Sequence, residues 1–251
     1  MDQGQARGEA RGVLPERIGI GLSLVLFAIP ALGLWLATRH LLPELVASGR
    51  EPLAAWFLAG SLVFAPLLVL ALTGAFADRS PARPGVLQVL RVRSLTRREW
   101  RIVGAALVVT FAVMAGLSLI NATLWPRLPP HPPFMAVEPI TTGKLYLLAL
   151  WLPFFALNII GEELWWRGMI QPRQELVFGA WTWIVQGVLH GLFHFSFGLG
   201  VMFILLPVLF SIPWAVQRTG NTTVGIIIHA VVNGAGFLAV VLGLLPVQMR
   251  G

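Results

Sequence analysis

Residues 145–167 read LYLLALWLPFFALNIIGEELWWR. From Leu145 to Gly161 the stretch holds no charge, and Asn158 is its one amide. Then Glu162, Glu163 and Arg167 arrive together. About 20 mostly apolar residues span ~30 Å of hydrocarbon as a helix, so this stretch is long enough to cross a bilayer. A charged side chain at mid-bilayer costs about 2.5–3.5 kcal/mol on insertion scales, so charges there need partners or a task.

Working outward, the same texture fills the chain. Of 251 residues, 57% are apolar and 12% charged, with a mean hydropathy of +0.79. Ordinary soluble domains carry roughly 25% charged residues, so a soluble, disordered or coiled-coil chain is excluded. The expected fold is all-α, a polytopic transmembrane bundle of about seven spans. They are Ile18–Ala37, Leu53–Phe76, Ile102–Trp125, Leu145–Leu164, Ala180–Phe197, Leu199–Val216 and Thr223–Leu245. The first is too long for the apolar region of a cleaved signal peptide and lacks a small-residue cleavage site. The chain reads as one membrane domain, 1–251, with no repeat.

With the N-terminus inside, 13 basic residues fall in inner segments and 5 in outer ones, so the N-terminus is expected to be cytoplasmic. The net charge of +7 then reports topology rather than nucleic acid. The loop Asp78–Arg101 carries seven Arg and is expected to lie against anionic headgroups. The loop Pro126–Gly143, with six prolines, is expected to cover one end of the bundle. No cysteine is present, which excludes disulfides, thiol catalysis and cysteine-ligated metal.

Three polar clusters interrupt the apolar spans. Glu163 and Arg167 are i,i+4 and can pair, while Glu162 points about 100° away with Asn158 one turn beneath it. Alone, this could be the solvated end of a helix. His190 and His194 share a face of the fifth span, flanked by Gly187 and Gly191 that allow close packing. A single histidine there would be structural; two on one stripe suggest more. His229 and Asn233 share a face of the seventh span beside Gly225, Ala230 and Gly234. Alone, they would form an interhelical clamp of about 1 kcal/mol or less. Together, a carboxylate, imidazoles and an amide in a dry pocket can hold and activate water and can stabilise an oxyanion.

Glu-Glu-x-x-x-Arg, then a motif ending in His194, then His-x-x-x-Asn, in order and in separate apolar helices, resembles the CPBP family. These are the CAAX-protease and bacteriocin-processing proteins, which include the Rce1-type prenyl-protein endopeptidases. The resemblance covers about Leu145–Leu245, so 145–245 is expected to be a catalytic core. It implies an intramembrane endopeptidase in which Glu162 and His194 activate water and His229 and Asn233 stabilise the oxyanion. Glu163 and Arg167 would shape and charge-balance the site. His190 stands where the family usually has Phe. It is either a neutral replacement or a second imidazole of the site, and His190→Phe is expected to keep most activity.

The resemblance favours no cofactor. The alternative is a zinc site built from Glu162, His194 and His229, with or without His190, although no His-Glu-x-x-His pattern occurs. The implied partners are membrane lipids and a peptide or protein with a hydrophobic or membrane-anchored segment, at a bacterial plasma membrane. Competing functions are a non-catalytic member serving bacteriocin self-immunity or as a membrane scaffold, and a proton-coupled carrier. The complete motif set disfavours the first. The carrier would call for inverted repeats, and none is visible.

Overall fold

The computed structural model describes residues 14–80, 82, 85–129, 131, 132, 134 and 139–243. The described residues are helical, with no strand among them. Helix α1 (Ile20–Leu36) continues through a π-helical turn at Ala37–Leu41 into α2 (Leu42–Ala47). Then come α3 (Pro52–Ala77), the short α4 (Val86–Val89) and α5 (Arg97–Leu124). The second half holds α6 (Tyr146–Glu163), a π-helical segment at Leu164–Ile170, α7 (Gln171–Phe178), α8 (Thr182–Phe193), α9 (Leu199–Thr219) and α10 (Thr222–Val241).

Among the described residues, six helical stretches are long and apolar enough to cross a membrane, which makes this a multi-pass membrane protein. One of them, Tyr146–Phe193, has 48 residues. Straight, it would measure about 72 Å, more than twice the hydrocarbon thickness. It is not straight. Gly179, at φ 52°, turns the chain after α7, and α8 folds back, packing mainly on α9 and α1. Gln186 Nε2 donates to the Trp166 carbonyl at 3.3 Å, and His190 meets Glu162 at 2.8 Å, so later residues of α8 meet earlier residues of the α6 and π-helical stretch. Six stretches thus give seven apolar arms, as expected. The fifth arm is shorter than the expected Ala180–Phe197. Helix α8 stops at Phe193, and a tight turn through Phe195–Phe197 and Gly198 (φ 87°) leads into α9.

The segments grouped on one side by the charge count meet on one face. Ile18 N donates to the Arg173 carbonyl at 3.3 Å, joining the start of α1 to α7. Arg173 pairs with Asp78 at the end of α3, and Arg91 pairs with Glu175 at 2.8 Å. Thr222, the first residue of α10, bonds the carbonyls of Leu90 and Arg91 through its hydroxyl and amide. Arg93 grips Glu99 with two nitrogens at 2.6 and 3.0 Å and also reaches the Thr219 carbonyl. At least two of the loop's arginines therefore serve intramolecular pairs as well as any headgroups.

The opposite face carries the Lys144–Glu51 pair at 3.7 Å. The proline-rich loop closes on this face. Phe134 packs on Trp56 and Phe197, with ring centroids 5.0 and 5.4 Å apart. A side chain at Gly200 would run into the Pro129 carbonyl, so the loop backbone lies directly on the start of α9. The loop residues 130, 133 and 135–138 lie outside the described residues.

Candidate active site

The site is built where α6 gives way to the π-helical segment. Gly161 brings α6 against α3: a Cβ there would sit 2.8 Å from the Phe64 carbonyl. The next two residues, Glu162 and Glu163, are fully buried, and so is Arg167. A solvated helix end is therefore excluded. Among the described residues, each carboxylate pairs with a histidine from a different helix.

Glu162 Oε1 accepts from Asn158 Nδ2 at 2.7 Å, one turn back on α6. Its Oε2 lies 2.8 Å from His190 Nε2 on α8. Glu163 turns the other way. Its Oε1 lies 2.9 Å from His229 Nδ1 on α10, and Asn233 Nδ2 lies 3.0 Å from His229 Nε2. Gly225 makes this possible, since a Cβ there would stand 2.5 Å from Glu163 Oε2.

Arg167 keeps the expected ion pair with Glu163 and adds a second partner. Its Nε is 3.5 Å from Glu163 Oε2, close enough for an ion pair but outside hydrogen-bond geometry. Its short contact is Nη2 to His190 Nδ1, at 2.7 Å. Arg167 sits in the π-helical segment Leu164–Ile170, where it keeps the i,i+4 ion pair with Glu163 while its guanidinium reaches across to α8. The same segment turns Trp166 inward to stack on Phe27, at a centroid distance of 4.1 Å.

These contacts fix protons. Guanidinium has donors and no acceptor, so His190 Nδ1 accepts and the ring's proton sits on Nε2, facing Glu162. His194 Nδ1 lies 3.1 Å from the His190 carbonyl, which accepts, so Nδ1 carries that ring's proton and Nε2 keeps its lone pair. His229 donates from Nδ1 to Glu163 and accepts at Nε2 from Asn233.

The three motifs converge on His190. Its ring centroid is 4.8 Å from that of His194 and 6.4 Å from that of His229. A small cavity of about 50 Å³ is lined by His190, His194, His229 and Asn233, with Phe197 and α9 residues including Val208 and Ile212 completing the wall. Glu162 stands behind His190 and His194, with one ligating atom from each of the three residues within 4.8 Å of the others. A water about 2.8 Å from each of two such atoms spans that gap.

Every residue singled out in the three motifs is brought into this cluster. What the motifs did not reveal is the bridging place of His190. Nor did they reveal the buried amides beside it. Gln186 Nε2 donates to Gln174 Oε1 at 2.6 Å, Gln174 to Ser23 at 2.8 Å, and Gln171 to the Pro213 carbonyl at 2.9 Å. A signal existed: Gln186, His190 and His194 repeat at i, i+4, i+8, one polar stripe on an apolar helix.

Residues 144–235 match the family model of the type II CAAX prenyl endopeptidase Rce1-like proteins. The matched segment is a little over a third of the chain and contains all three motifs. The match supports the resemblance to the CAAX-protease family drawn from those motifs. Comparisons with curated proteins and with solved structures gave no match.

Proposed function

We propose that this protein is an intramembrane endopeptidase that hydrolyses peptide bonds with water activated by Glu162. One observation carries the reading: two adjacent buried carboxylates each engage a histidine from another helix beside one cavity. The Rce1-like match over the same residues supports it.

In this reading, water is held between Glu162 and His194. The water oxygen attacks the scissile carbonyl carbon while Glu162 takes its proton. Asn233 donates to the oxyanion, while His229, whose Nε2 accepts from Asn233, orients that amide instead of donating itself. Asn233 has two amide hydrogens, one of which faces His229, leaving the other for the substrate oxygen. The C–N bond then breaks, and Glu162 returns the proton to the leaving nitrogen. The products are a carboxylate and an amine. Glu163 holds His229, and Arg167 offsets the charge of the two carboxylates.

The proposed chemistry needs no metal. Glu162, His190 and His194 lie close enough to hold an ion, but their donor set does not fit one. With Arg167 donating to Nδ1, His190 presents an N–H at Nε2, not a lone pair. Reversing the tautomer would set two donors against each other. The guanidinium also brings its own positive charge to the place.

The substrate class is a hydrophobic or membrane-anchored peptide, since the site opens among apolar helices. We place the protein in a bacterial plasma membrane with the N-terminus cytoplasmic, and residues 145–245 as the catalytic core. The test is cleavage by purified protein in liposomes of an internally quenched, C-terminally farnesylated peptide and its unprenylated counterpart. Cleavage lost in Glu162→Ala supports the reading. Equal cleavage by both proteins contradicts it.

A further inference from the structure

We propose that His190 is a positioning residue, with its tautomer fixed by Arg167 and its fixed ring holding the Glu162 carboxylate in one orientation behind the cavity wall. The proposal rests on the proteolytic reading of the site and deepens it.

The ring stands between opposite charges, with Nδ1 2.7 Å from Arg167 Nη2 and Nε2 2.8 Å from Glu162 Oε2. The guanidinium demands an acceptor and the carboxylate demands a donor. Neutral imidazole offers one of each on different edges of a rigid ring. The arrangement is buried: His190 is 2% exposed and both partners 0%. In so dry a place, an unmet donor or carboxylate oxygen carries its full desolvation cost. Arg167 Nη2 and Glu162 Oε2 therefore hold the ring in one orientation.

The ring also keeps an aromatic's packing. It lies near Phe193 and Trp166, at centroid distances of 5.9 and 6.2 Å. Phe could fill the same volume, but it would offer neither hydrogen bond. Glu162 would keep Asn158 on Oε1 and lose its partner on Oε2. A carboxylate free to swing by about 1 Å is enough to lose ~10²-fold in rate.

Three substitutions separate positioning from simple packing. His190→Gln places an amide N–H where Nε2 lies and keeps the donor to Glu162. His190→Asn keeps an acceptor towards Arg167 and loses that donor. His190→Phe loses both. With the farnesylated peptide as probe, kcat should fall about 10²-fold in Asn and Phe, with KM little changed, and Gln should recover a large part of the loss.

The companion measurement is ¹⁵N NMR of wild-type protein labelled at imidazole nitrogen, which should show His190 as the neutral Nε2–H tautomer. Wild-type kcat in His190→Phe overturns the proposal. So do kcat losses that follow thermal stability instead of the donor to Glu162, and so does an Nδ1–H tautomer. The NMR result stands even if a variant fails to fold. A wild-type protein that shows the Nε2–H tautomer but cleaves no peptide contradicts the proteolytic reading, while supporting the hydrogen-bond chain proposed for His190.

Discussion

Arg167 donates to Nδ1 of His190 over 2.7 Å, linking the π-helical segment after α6 to the last turn of α8. This contact joins the two halves of the site. Through His190 the guanidinium reaches Glu162, and through its own Nε it neighbours Glu163. One cation thus serves two buried carboxylates.

Arg167→Gln should therefore be strongly destabilising. Removing one member of a buried charged cluster leaves the others uncompensated, at a cost of about 3–5 kcal/mol. Thermal unfolding in detergent should show a large drop in midpoint. A midpoint within a degree or two of wild type would mean that the carboxylates do not depend on Arg167.

Glu162 and Glu163 should respond differently to the same change. Glu162→Gln should abolish turnover and leave the protein folded, because the amide still fits between Asn158 and His190. Glu163→Gln should lower stability or substrate binding as well as rate, because Glu163 carries His229 and neighbours Arg167. Steady-state kinetics paired with unfolding curves would separate the two. Equal, purely catalytic losses would favour a paired-carboxylate or metal mechanism.

Gly225→Ala should damage the site from behind. The added Cβ would meet Glu163 Oε2 at 2.5 Å and Val216 Cγ2 at 2.9 Å. Overpacking of this kind costs about 1–3 kcal/mol. Gly104→Ala is the control, since nothing lies within 4 Å of a Cβ there. The unfolding midpoint should fall for the first and hold or rise for the second.

Asn233→Ala should cost about 10²–10³ in turnover, the usual loss for one oxyanion donor. Treating the wild-type protein with 1,10-phenanthroline should change activity little. Loss of activity that stoichiometric zinc restores would reassign Glu162, His190 and His194 as ligands.

Much of this arrangement was legible in the sequence. Long uncharged runs marked the spans, because lipid admits little else. The helical wheel separates Glu162 from Glu163 and puts Asn158 beneath Glu162, where the 2.7 Å hydrogen bond forms. The Glu163–Arg167 ion pair expected from the wheel is present at 3.5 Å, but the closer contact of the guanidinium with His190 on another helix is a tertiary one that a wheel does not show. His190 itself was visible as a polar residue on an apolar stripe. Its bridging place depends on α8 folding back at Gly179, a tertiary event that a local pattern does not encode. The short fifth arm has the same origin: hydropathy runs on past Phe193, whereas the backbone turns there.

The central claim is hydrolysis by water activated at Glu162. Its most direct test is mass spectrometry of a hydrophobic, farnesylated peptide incubated in ¹⁸O-water with purified protein in liposomes. The account predicts that wild-type protein releases an N-terminal fragment with one ¹⁸O in its new carboxyl group, and that folded Glu162→Gln protein releases none. Labelled product from Glu162→Gln at the wild-type rate would contradict it.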